Sequence, residues 1–248
     1  MMPMDGSEGT GNPAKPGLRP VERKTQTAEN RNSVESLNPA ERFYTAETFS
    51  PVDTSLDPSM DVRNSSPRPQ RDPYISPQYT LSNRIRRQLW NTCWMLLYAP
   101  SPRTAHGWRA MLLRLFGAQL GENCHFYPLS RIWAPWNLEC EDTVTVGDRA
   151  ELYNPSHLYL ASHVMISEGA YICGATHDYN DPEFPVVSCP MRIGRYAWIA
   201  ARACVSPAVD VADGAILGLA SVATHDLEPW GIYAGAPAKK VKERARIV

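Results

Sequence analysis

From Val146 onward aliphatic residues recur every six positions, as Val146, Leu152, Leu158 and Val164, with Ala170 as a smaller fifth member. After an interruption the period returns as Ile193, Ile199, Val205, Val211 and Leu217, each followed by a small residue, Gly194, Ala200, Ser206, Ala212 and Gly218. Ile, Leu and Val fill 44 of 248 positions, so five consecutive hits arise by chance at only ~2 in 10,000 starting points. A period of six matches neither the 3.6 of a helix nor the 2 of a plain strand; it matches short strands joined by tight corners. One aliphatic residue per side points into a narrow prism, the small neighbour lets the backbone turn, and coils stack by parallel strand pairing. The fold class expected is mainly β, a parallel β-helix. The first register, continued by sixes from Ala170, does not meet Ile193, so residues between about 174 and 192 must leave the prism. Asp181-Pro182, Phe184-Pro185 and Cys189-Pro190 give that stretch the composition of an extruded loop.

Upstream, the pattern is helical. Ser82 is a candidate N-cap, and Ile85, Leu89, Cys93 and Leu96 recur at helical spacing up to the Ala-Pro-Ser-Pro break at 99–102. A second helix is predicted over Thr104–Phe116, with Trp108, Leu112 and Leu115 on one face and Gly117 as its stop. Residues 81–120 hold six arginines and no acidic residue. Two short basic amphipathic helices fit either a cap on the following domain, with Trp90, Trp94, Leu96, Leu97 and Tyr98 in the interface, or a peripheral contact with an anionic membrane surface. Residues 1–80 carry 11 of the 22 prolines and no Trp, Cys or His, so they read as a disordered, solvated tail. The chain is thus expected to divide into a tail (1–80), a basic helical segment (81–120) and a repeat domain (121–248).

Composition narrows the function classes. With 25 basic and 26 acidic residues the formal net charge is −1, and nothing at whole-chain level points to nucleic acid. No stretch has the apolar length of a membrane span, and the first residues lack the pattern of a secretory signal. Six scattered cysteines without a CxxC pair argue against a zinc ribbon or a disulfide framework, and a cytoplasmic location is expected.

His177 stands at the base of the predicted loop, where a rigid wall meets a mobile segment. The Gly-Ala-Thr-His-Asp-Tyr run at 174–179, Ile-Gly at 193–194, Ala-Trp-Ile-Ala at 197–200 and Tyr-Ala-Gly-Ala-Pro-Ala-Lys at 233–239 resemble the hexapeptide-repeat sugar O-acetyltransferases. Within that family the 81–120 segment, the Tyr153-Asn154-Pro155 run and the Thr-His-Asp-Tyr loop are most similar to the colanic acid biosynthesis acetyltransferase subgroup. The resemblance covers about residues 80 to 245. It implies a left-handed, triangular β-helix with three hexads per coil, acetyl-CoA as co-substrate, a saccharide acceptor in exopolysaccharide or capsule biosynthesis, and a homotrimer with sites between neighbouring prisms.

O-acetylation needs a base for the sugar hydroxyl proton, and histidine is the side chain whose ordinary pKa suits that task, so His177 is the candidate catalytic base for direct transfer. Asn154 is the candidate acceptor-binding residue, although Asn before Pro is equally a turn residue. By the resemblance Trp198 lines the acetyl-CoA groove and Lys239 and Lys242 meet the nucleotide phosphates, in a terminal run that also holds Lys240, Arg244 and Arg246. Gly218, Ala220 and Gly235 would let the cofactor approach the main chain closely. A metal enzyme of the γ-class carbonic anhydrase-like kind is the first rival. With coils of ~18 residues His157 and His163 fall on adjacent faces and neither aligns with His177, so no metal site is expected. The second rival is a catalytically silent scaffold.

Overall fold

The computed structural model describes residues 79–246; the tail expected over residues 1–80 lies, up to residue 78, outside them. Short strands wind around three faces. The first coil is β1 (Gln119–Leu120), β2 (His125–Phe126) and β3 (Arg131–Ile132); the second is β4 (Leu138–Cys140), β5 (Thr145–Val146) and β6 (Glu151–Tyr153). The third is β7 (Leu158–Leu160), β8 (Met165–Ile166) and β9 (Tyr171–Cys173), after which β10 (Ala175–His177) and β11 (Val186–Ser188) leave the prism as a hairpin. The wall resumes with β12 (Met191–Ile193), β13 (Trp198–Ile199) and β14 (Cys204–Val205), then β15 (Ile216–Leu217), β16 (Val222–Ala223) and β17 (Gly231–Gly235). The parallel stack β1-β4-β7-β12 forms face one, β2-β5-β8-β13-β15-β17 face two and β3-β6-β9-β14-β16 face three; β18 (Ala238–Glu243) closes face two antiparallel to β17.

All ten predicted hexad residues are buried, but the repeat starts earlier and its phase slips earlier than expected. Phe126, Val146 and Ile166 stack on one another, as do Ile132, Leu152 and Ile172, so these coils advance by twenty residues, not eighteen. The extra pair lies on face one, where Leu158 and Leu160 both point inward on a three-residue strand. Because side chains alternate with period 2, Leu158 satisfies a six-residue test while Leu160 holds the stacking position, paired with Cys140 and Ile193. The eighteen-residue spacing appears only later, from Ile199 to Leu217 and from Val205 to Ala223.

The corners also differ in mechanism from the expectation. The left-handed residue is the third after the aliphatic one, at Tyr196, Arg202, Ala208 and Ala220, and it need not be small. The small residue directly after the aliphatic one is set by the neighbouring coil: a Cβ on Gly194 would lie 2.6 Å from the Asp213 backbone nitrogen, inside any carbon–nitrogen contact distance.

Upstream of the coils, α1 (Leu81–Cys93) continues as a π-helical turn (Trp94–Tyr98), and α2 is His106–Leu115. The N-cap of α1 is Thr80, whose hydroxyl accepts from the Asn83 N–H, and not Ser82. The helices cap the open end of the prism. The edge carbonyls of the first coil would be left unpaired, and the cap satisfies them: the Trp90 indole donates to Ile132 O (2.7 Å), that of Trp94 to Ser130 O (2.9 Å), and Arg109 Nε to Phe126 O (2.6 Å). Arg86 and Arg87 stack on Trp136 and Trp133 of the wall. Gly117 ends α2 with a φ of +98°. The interface is the expected one at Trp90, Trp94, Tyr98 and Leu112 and differs from it elsewhere. Trp90, Tyr98, Leu112 and Leu113 are buried, whereas Ile85, Leu89, Leu96, Leu97, Trp108 and Leu115 face outward.

Candidate functional site

The hairpin that carries His177 is fixed by its own loop. Asp178 Oδ1 accepts from Asn180 N–H (3.0 Å) and Asp181 Oδ1 from Glu183 N–H (2.8 Å), two side-chain-to-backbone turns that suit this polar stretch. Phe184 sits at a φ of 45°, a conformation rare for a bulky residue, and this turns its carbonyl toward His177. The His177 Nδ1 lies 2.9 Å from Phe184 O, and the two rings stack at 4.3 Å. A carbonyl only accepts, so Nδ1 carries the hydrogen and Nε2 keeps the lone pair. The half-buried ring is therefore held in the tautomer a general base requires.

Face two carries a second constellation. Directly paired residues share a face, and the outward column of face two reads Thr145, Met165, Trp198, Ile216, Ile232. Trp198 is 40% exposed, with its indole donating to Ser167 Oγ at 2.8 Å. At the end of this column β18 pairs Lys242 with Ile232 and Lys239 with Ala234, while Lys240 pairs with Tyr233. Strict alternation would put residues 239 and 242 on opposite faces; the register shift leaves Val241 as the extra residue and brings both lysines to the Trp198 side. Lys240 turns to Glu228 (2.6 Å) and Glu243 (2.7 Å). Arg244 is also committed, donating to Tyr196 O (2.8 Å) and Gly214 O (3.1 Å). The basic run therefore presents two of its lysines to this face and spends Lys240 and Arg244 on the fold.

The small residues of the expected cofactor wall have their own geometry. A Cβ on Gly218 would stand 3.1 Å from Tyr233 O, a tight contact with the next coil. Ala220 takes a left-handed corner at φ 51° and is exposed, and Gly235 takes φ 103° in the turn before β18. Gly235 N–H donates to the Oγ of buried Ser221 (3.0 Å), a residue the sequence reading missed because no motif marks it.

Asn154 is buried, with Oδ1 accepting from Ala134 N–H (3.0 Å) and Nδ2 donating to Ala134 O (2.9 Å). Its amide ties one coil to the one before it. The shallow crevice beside it, lined by Tyr153, Ser156, Gly174 and Cys189, has no room for a nucleotide-bearing molecule. Glu141 was not foreseen: it accepts from Ser162 N–H (2.8 Å), Ser162 Oγ (2.6 Å) and the Tyr159 hydroxyl, and these hydrogen bonds lower its pKa to about 2. His157 bonds Glu139 (3.0 Å) and His163 packs on Tyr196; among the described residues no three His, Cys, Asp or Glu side chains converge.

His177 and the lysine column do not meet within one chain. The hairpin leaves the prism between β9 on face three and β12 on face one, which is the vertex opposite face two.

No family model matches the chain. It is 35% identical over 162 residues to the colanic acid biosynthesis acetyltransferase WcaF of Escherichia coli (strain K12), covering 65% of this chain and 89% of that protein. It is 27% identical over 125 residues to the galactoside O-acetyltransferase of the same organism, covering 50% and 55%. Its fold is similar to the hexapeptide-repeat acetyltransferase VCA0836 of Vibrio cholerae, with a TM-score of 0.61, 15% identity and coverage of 67% and 95%. A galactoside acetyltransferase solved with coenzyme A gives a TM-score of 0.61 at 19% identity over 67% and 84%. The described wall of short parallel strands and the extent of the match to WcaF make the chain a member of the hexapeptide-repeat acetyltransferase family.

Proposed function

We propose that the protein transfers an acetyl group from acetyl-CoA to a hydroxyl of a saccharide used in exopolysaccharide assembly, with His177 as the general base. The observation that carries this reading is the bond between His177 Nδ1 and Phe184 O, which leaves Nε2 as the basic atom. His177 Nε2 takes the proton from the acceptor hydroxyl as its oxygen attacks the acetyl carbonyl carbon, the C–S bond breaks, and the imidazolium returns the proton to the departing sulfur. No acetyl-enzyme is required. Acetyl-CoA supplies the activated thioester. Lys239 and Lys242 suit its phosphates, and the apolar column through Ile216 to Trp198 suits its pantetheine arm; three strand spacings, ~14 Å, separate the lysine row from Trp198. The exopolysaccharide assignment rests on the likeness to WcaF. Because His177 and the lysines lie on opposite sides of one prism, the reading includes a homotrimer in which the loop of one chain faces the second face of its neighbour. His177→Ala should stay folded and bind CoA by calorimetry, yet lose about 10²–10⁴ in kcat/KM. An unchanged rate would remove His177 from the mechanism.

A further inference from the structure

The cap has a side that the prism does not use. At 100° per residue, Leu81, Ile85 and Leu89 fall within one arc of roughly 80° on α1, on the side away from Trp90; Leu96 follows on the π-helical turn, and all four are exposed, Leu89 and Leu96 at 60% each. On α2, Trp108, Met111 and Leu115 repeat at helical spacing and are exposed as well, while Leu112 and Leu113 face the core. The Trp108 indole donates to Leu97 O (2.9 Å), so the two stripes join across the helix pair. Nine of the fifteen exposed large hydrophobics among the described residues lie on this one cap. Residues 81–120 hold six arginines and no acid; Arg109 is buried, Arg86 and Arg87 stack on the wall and Arg103 pairs with Asp148. Arg84 on α1 and Arg114 on α2 are exposed and supply the cationic flank.

We propose that this cap docks the protein on an anionic lipid surface, with α1 and α2 lying in the headgroup plane. The combination of an apolar arc with a cationic flank is that of an interfacial helix. No helix among the described residues is long and apolar enough to cross a membrane, so the contact is peripheral. A second copy is a poorer occupant, since the same face would bring arginines against arginines with no carboxylate between them.

The test is co-sedimentation of the full chain with vesicles of phosphatidylglycerol and phosphatidylcholine, and with phosphatidylcholine alone. The protein should sediment with the anionic vesicles, be released as salt is raised, and partition at least tenfold more weakly as Leu89→Glu/Leu96→Glu, with its mass by light scattering and its CoA affinity unchanged. A second variant, Leu115→Glu, should weaken binding in the same direction. Absence of binding at low salt, or equal binding to neutral vesicles, would overturn the proposal. So would a change in oligomer mass in the Leu89→Glu/Leu96→Glu variant, which would show that another copy covers the stripe.

Discussion

At the scale of single residues, hydrogen-bond accounting separates side chains that serve the fold from those free to serve chemistry. Asn154 spends its amide on both backbone groups of Ala134. Asn154→Ala leaves a buried N–H and C=O unpaired, which costs about 2–3 kcal/mol; thermal melts should show that loss, while acceptor KM in the folded fraction stays at the wild-type value. A raised KM with unchanged stability would restore Asn154 to the acceptor site. His177 is the opposite case. Its Nδ1 is spent on Phe184 O and its Nε2 is not, which is the arrangement proton transfer needs.

At the scale of elements, the bulge in the last hairpin has a chemical consequence. Val241 is the unpaired residue that lets Lys239 and Lys242 share the Trp198 face. Losing one phosphate contact weakens CoA binding about tenfold, and Lys242→Ala should show it in calorimetry. Moving the charge by one position, as Val241→Lys/Lys242→Ala, should fail to restore affinity, because the extra residue points off the paired face. Recovery by the shifted lysine would mean that only net charge matters. On face one, Glu141 joins the second coil to the third through Ser162 and Tyr159. Its folded pKa, about 2, lies below the ordinary carboxylate value of 4.5. The stabilisation is therefore fully present above pH 4.5 and is lost as pH falls toward 2. Glu141→Gln should flatten the fall of Tm across that acid window and leave its slope above pH 5 unchanged; an unaltered acid limb would mean that the contact contributes nothing to stability.

At the scale of the molecule, a solenoid ends in two edges that need covering, and each end of this one has its own device. The helical cap takes the carbonyls of Phe126, Ser130 and Ile132 at the start, and the β17–β18 hairpin terminates face two at the finish. Between them the hairpin bearing His177 leaves from the vertex opposite the lysine column, so the proposed site is completed by two chains. Co-refolding His177→Ala with Lys239→Ala/Lys242→Ala tests this directly. In random mixed assemblies about a quarter of sites combine an intact loop with an intact lysine pair, so activity should return to about that fraction of wild type, although each parent is impaired. Absence of any gain would place the whole site within one chain.

The linear sequence determined what local pattern can encode. Five aliphatic residues at sixes from Ile193 to Leu217 required stacked short strands, the prolines between Asp181 and Pro190 required an extruded loop, and both put His177 at its base. Tertiary structure decided what depends on partners distant in the chain. Leu160, and not Leu158, stacks on Cys140, because alternation buries both and only pairing distinguishes them. The Ile85 and Leu89 side of α1 stays outside although helical spacing marks it, because the Trp90 indole on the other side reaches an edge carbonyl of the first coil. Asn154 became a tie between coils and Lys240 an ion-pair partner through contacts with Ala134 and Glu228, twenty and twelve residues away. Periodicity fixes which residues go inside, whereas register between coils fixes what each remaining side chain meets.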